Sequence, residues 1–83
     1  MNKVLVKVFF PRIDKSYDIW IPLNLKVYDV IKQLIKGVNE LNDYLVPATI
    51  SPILYNKESG EYYNPSSIIK DTNIRNCTEL ILM

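Results

Sequence analysis

The feature that most constrains this chain is a single stretch in which apolar residues return with the period of an α-helix. Val27, Val30, Ile31, Leu34, Ile35, Val38 and Leu41 fall at i, i+3, i+4, i+7, i+8, i+11 and i+14, which draws one broad apolar stripe. Tyr28, Asp29, Lys32, Gln33, Lys36 and Glu40 occupy the opposite, solvated side. A helix of this kind must lay its stripe on another layer, and the chain holds no second amphipathic helix to supply one. The other layer has to be a sheet.

The flanking segments alternate as strands do. Lys3 to Phe10 is rich in β-branched and aromatic residues and stops at Pro11. Tyr17-Asp18-Ile19-Trp20-Ile21 alternates and is closed by Pro22, and the short polar stretch between the two predicts a hairpin. Beyond the helix, Asp43 to Pro52 has no period and reads as a crossover loop. Ile53-Leu54-Tyr55 is a short strand, Asn56 to Gly60 a turn with Gly60 suited to positive φ, and Glu61-Tyr62-Tyr63 the return strand. Pro65 to Asn76 holds Ile68, Ile69 and Ile74 among polar residues, which suits a packed loop with a helical turn; Glu79 to Met83 is the last strand. Gly37 inside the helix predicts a point of close helix–sheet approach, with early fraying of the helix as the alternative. The expected architecture is α+β in the order β-β-α-β-β-β, a mixed sheet of about five strands with one helix on one face, as a single domain over residues 1–83.

Alternation divides the strand residues between two faces. Lys3 and Lys7 must face water, so Val4, Val6 and Val8 point inward, joined by Tyr17, Ile19, Ile21, Ile53, Tyr55, Leu80 and Leu82. The same rule sends Leu5, Phe9, Trp20, Leu54, Ile81 and Met83 to the uncovered face, where they form the candidate partner-binding surface. A patch of about 400 Å², at about 25 cal/mol per Å², yields about 10 kcal/mol gross. Association costs about 4–15 kcal/mol, so such a patch alone supports weak to moderate binding. A second copy of the chain is one expected occupant.

Composition removes several kinds of chemistry. At 83 residues and 48% hydrophobic content, one folded domain is expected and disorder is not. The net charge is +1 and no basic block stands out, so no nucleic-acid partner is expected. There is no histidine, which takes away the commonest general base, the commonest metal ligand and every Ser-His or Cys-His nucleophile. Cys77 is the only cysteine and reads as a structural or half-buried turn residue, with Arg75 the one nearby group able to favour a thiolate. Glu58 and Glu61 flank a turn and read as solvated charges, and Asp18, Asp29 and Asp43 lack a calcium-loop spacing. No catalytic residue, cofactor or metal is therefore expected. No signal segment and no membrane-spanning run is present, which predicts a cytoplasmic protein with no direct membrane insertion.

The element order, with Ser67-Ile68-Ile69-Lys70-Asp71-Thr72-Asn73-Ile74 leading to Thr78-Glu79-Leu80-Ile81-Leu82, resembles the ubiquitin β-grasp fold. Four segments further resemble the small bacterial YukD/EsaB-like ubiquitin-fold proteins of type VII (ESX-type) secretion. They are Lys3-Val4-Leu5-Val6-Lys7-Val8, Tyr17-Asp18-Ile19-Trp20-Ile21-Pro22, Val30-Ile31-Lys32-Gln33-Leu34-Ile35-Lys36, and Leu54-Tyr55-Asn56 leading to Ser59-Gly60-Glu61. The resemblance implies a non-enzymatic accessory or regulatory protein whose partner is a secretion-system membrane component or ATPase. A structural or effector subunit of a multicomponent enzyme is the alternative. Two departures stand out: Cys77 occupies a turn position where such proteins often carry glycine, and the helix start lacks a Ser or Thr cap. The sequence ends at Met83 on a strand without a Gly-Gly tail, so conjugation and sulfur-carrier roles are not expected.

Overall fold

The structure is a computed structural model and describes residues 2–41 and 52–83. The crossover loop expected before Pro52 lies outside the described residues, as does Asp43.

Strand β1 covers Lys3–Phe10 and β2 covers Lys15–Pro22, followed by helix α1 over Val27–Leu41, β3 over Leu54–Asn56, a 3-10 turn over Ile69–Asp71, and β4 over Glu79–Leu82. The strands lie in the order β2-β1-β4-β3. β1 and β2 are antiparallel, β1 and β4 parallel, and β3 and β4 antiparallel, so the sheet is mixed. The expected fold class holds, with four strands among the described residues where about five were anticipated.

Glu61-Tyr62-Tyr63 accounts for the difference: it makes one isolated bridge, Tyr55 to Tyr62. Two backbone bonds bracket that pair, Asn56 N–H to the Glu61 carbonyl at 2.8 Å and Tyr63 N–H to the Leu54 carbonyl at 2.9 Å. Pairing stops there for local reasons. On one side the Asn56 Oδ1 atom accepts the Glu58 and Ser59 N–H groups, and on the other the Asn64 Oδ1 atom accepts the Ser66 N–H. Both asparagines turn the chain out of the ladder.

The helix stripe and the inner side chains of the strands share one core. Val6, Val8, Ile21, Val27, Leu54, Ile69, Ile74 and Leu80 are almost fully buried in it, with Val30, Ile31, Leu34 and Val38 from the helix. Tyr17, Ile19 and Ile35 pack on its rim, and the Tyr17 ring meets Phe10 edge-on at 5.8 Å. Leu41, read as the last member of the stripe, is exposed instead.

The missing helix cap has a tertiary substitute. The Val27 N–H donates to the Ser67 carbonyl at 2.8 Å and the Tyr28 N–H to the Pro65 carbonyl at 3.0 Å. Two of the donors orphaned at a helix start thus find backbone acceptors in the loop before the 3-10 turn. That loop is held alongside by the Ile69 and Lys70 N–H groups, bonded to the Leu25 and Leu23 carbonyls. The expected packed loop with a helical turn is present.

Gly60 has φ of +77°, as its turn position suggested. Gly37 does not mark a close approach: a Cβ built there meets nothing within 4 Å. Cys77 is exposed, not half-buried, and takes φ of +71° where β4 is entered, its N–H bonded to the Leu5 carbonyl at 2.8 Å. A Cβ in that left-handed region is a steric cost of about 1–2 kcal/mol.

Two expected outcomes follow from these glycine and cysteine positions. Gly37→Ala raises unfolding stability by about 0.5–1 kcal/mol in urea titration, since alanine favours the helix and has room. Cys77→Gly raises it by about 0.5–1 kcal/mol after the added freedom of the unfolded chain, whereas Cys77→Ala leaves it within about 0.5 kcal/mol.

Candidate functional site

The candidate surface is the face of the sheet turned away from α1. Its composition follows from register. Leu5 faces Trp20 across the antiparallel pair, Lys7 faces Asp18, and Phe9 faces Ser16. Across the parallel pair Lys7 aligns with Glu79 and Phe9 with Ile81. Tyr55 aligns with Ile81, and Tyr62 continues that line by its bridge to Tyr55. Side chains aligned in this way share a face.

Five of the six residues named from alternation lie here. Trp20 is 55% and Met83 56% exposed, while Leu5, Phe9 and Ile81 are half-buried among their neighbours. Leu54 does not belong to the face. It is 0% exposed, in the core, and Ile53 and Tyr55, expected inside, point outward in its place. The phase of β3 is the reverse of the one inferred from sequence, because Ile53-Leu54-Tyr55 is apolar throughout and offers no polar residue to fix it. The Leu54–Leu82 pairing sets it: Leu82 is buried, so its partner is buried too.

The face is not one apolar patch. A charged row crosses it from edge to edge: Asp18 on β2, Lys7 on β1, Glu79 on β4, then Lys57 immediately after β3. The Lys57 N–H donates to the Glu79 carbonyl at 3.0 Å, and the Lys57 Nζ lies 3.8 Å from Glu79 Oε1. Both side chains of this ion pair are about half exposed, so its own contribution is under about 1 kcal/mol. One residue beyond the row runs a second line, Phe9, Ile81, Tyr55 and Tyr62, with Ile53 and Met83 past it. On the other side stand Leu5 and Trp20. Tyr62 is 67% exposed and was missed because it was read only as part of a return strand. The charged row was missed because its members are far apart in sequence and only register brings them together.

Behind Tyr62, the segment is fixed by a small polar network. Asn56 Nδ2 donates to the Tyr63 hydroxyl at 2.9 Å, and that hydroxyl donates to Asn73 Oδ1 at 2.6 Å. The Tyr63 ring is mostly buried, so the network ties the turn after β3 to the loop before β4 while leaving Tyr62 outside. Glu58 and Glu61 are exposed at the turn, as anticipated.

Among the described residues no helix is long and apolar enough to cross a membrane. Neither a family model nor a curated protein sequence matches the chain. Solved structures do match it. The EccD5 ubiquitin-like domain from Mycobacterium xenopi superposes with a TM-score of 0.81 at 16% identity, over 100% of this chain and 94% of that one. A chain of an ESX-5 inner membrane complex gives 0.82 at 16% identity, over 100% of this chain but 21% of its own length, so this chain spans about a fifth of it. A chain of a toluene 4-monooxygenase complex gives 0.80 at 11% identity, covering 96% of this chain and 95% of that one. Identities this low speak to architecture only. The chain has a ubiquitin-like fold, and type VII secretion proteins are among those that share it.

The reversed phase of β3 is open to a direct check. Leu54→Ala is expected to cost about 2–5 kcal/mol in chemical denaturation, and Tyr55→Ala under about 1.5 kcal/mol. Equal costs would contradict the assignment of faces.

Proposed function

We propose that this chain is a non-enzymatic, cytoplasmic ubiquitin-fold interaction module that acts as an accessory or regulatory component of a bacterial type VII secretion system. It docks through the outer sheet face onto a larger membrane component or ATPase of that machine. The observation that carries the reading is the face itself: Trp20, Leu5, Phe9, Ile81, Tyr55 and Met83 flank a row of exposed charges. Aromatic residues beside a polar stripe supply both area and orientation to a protein partner. Near-complete superposition on the EccD5 domain supports the setting, as does the same fold inside a chain of an ESX-5 inner membrane complex. A second reading, a structural or effector subunit of a multicomponent enzyme, draws support from the toluene 4-monooxygenase likeness.

Affinity capture from cells that carry a type VII system tests both. Tagged wild type is expected to recover the secretion membrane component or its ATPase, identified by mass spectrometry. Trp20→Glu and Ile81→Glu are expected to reduce that recovery at least tenfold. Undiminished recovery by both variants would remove the face from the mechanism, and recovery of oxygenase subunits in place of secretion components would favour the second reading.

A further inference from the structure

We propose that the outer sheet face pairs with a second copy of this chain about a two-fold axis running parallel to the strands, between β1 and β4. The inference goes beyond the reading above: it names a second occupant of the same face, one that exchanges with the membrane component. What selects it is the order of the charged row, which reads negative, positive, negative, positive from Asp18 through Lys7 and Glu79 to Lys57. Turning a second copy about an axis along the strands reverses that order left to right and sets the two faces against each other. Asp18 then meets the Lys57 of the other copy, and Lys7 meets its Glu79, each contact occurring twice.

The same operation brings Phe9 opposite the Ile81 of the other copy, because these two residues align across the parallel pair on either side of the axis. Leu5 comes opposite its Cys77, whose N–H bonds the Leu5 carbonyl within one copy and so marks the same level of the sheet. An axis lying across the strands would do the reverse, setting Asp18 against Asp18 and Lys7 against Lys7. The charge order therefore chooses one orientation, and that orientation keeps the strands of the two sheets nearly aligned, as twisted sheets prefer when stacked.

Size limits the strength. A face of four strands at about 4.8 Å spacing is roughly 20 Å wide and would bury on the order of 400 Å² per copy. A standard interface takes about 800 Å² per partner, so pairing is expected at about 0.1–1 mM chain. Such a contact suits copies held close together on an assembly better than free protein at low concentration.

Sedimentation equilibrium of the purified chain, up to about 1 mM, decides the matter through charge exchange. Wild type is expected to dimerise. Lys7→Glu and Glu79→Lys are each expected to stay monomeric, because each places like charges opposite one another twice. An equimolar mixture of the two is expected to form a heterodimer, and the chain carrying both substitutions to dimerise again. Asp18→Lys and Lys57→Glu, at exposed positions near the sheet edges, repeat the logic should either central variant fail the circular dichroism check for folding. A monomeric wild type, single variants that dimerise like wild type, or a mixture that stays monomeric would each overturn the proposal. Sedimentation uses the chain alone and capture uses the secretion component, so either result can fail without the other.

Discussion

The structure depends on one act of burial, the apolar stripe of α1 against the inner side chains of the sheet. Val6 and Val8 on β1 and Leu80 on β4 form its floor, and Val27, Val30, Leu34 and Val38 its roof. The central strands come from opposite ends of the sequence and pair in parallel, so the hairpin and the last third of the chain reach a common interior only together. Among the described residues, one helix covers one side of four strands. On the side away from α1, Trp20 and Met83 are each more than half exposed.

Much of this was legible because long elements carry their own phase. β1 is eight residues with lysines at fixed intervals, and those charges allow only one inward set. The helix repeats its stripe over fifteen residues, enough for the period to be unambiguous. β3 is three residues, all but its asparagine end apolar, and its phase is decided by Leu82 on the neighbouring strand. The exchange of Leu54 for Tyr55 on the outer face is a failure of that one short element. The row from Asp18 to Lys57 was beyond sequence reasoning for a different cause: each charge looks ordinary in its own segment, and its meaning lies in pairings among four segments.

Glycine and cysteine illustrate how local inference can be right in one place and wrong in another. Gly60 sits in a turn whose geometry demands a positive φ, and it has one. Gly37 suggested contact with the sheet, yet the space beside it is open. At Cys77 the backbone adopts the conformation glycine would favour, held there by its bond to Leu5. The fold tolerates the poorer residue because the parallel ladder fixes the turn from both sides.

The acceptors that finish the first turn of α1 belong to Pro65 and Ser67, on the far side of β3 in the sequence. Two N–H groups at the start of α1 are therefore satisfied by a loop more than thirty-five residues further along the chain, and not by a side chain of the helix's own leading segment. The first turn of the helix and the loop from Pro65 to Lys70 thus share their hydrogen bonds as one unit. A substitution that displaced the loop from Pro65 to Lys70 would leave the Val27 and Tyr28 N–H groups without their acceptors, whatever side chains those two positions carry.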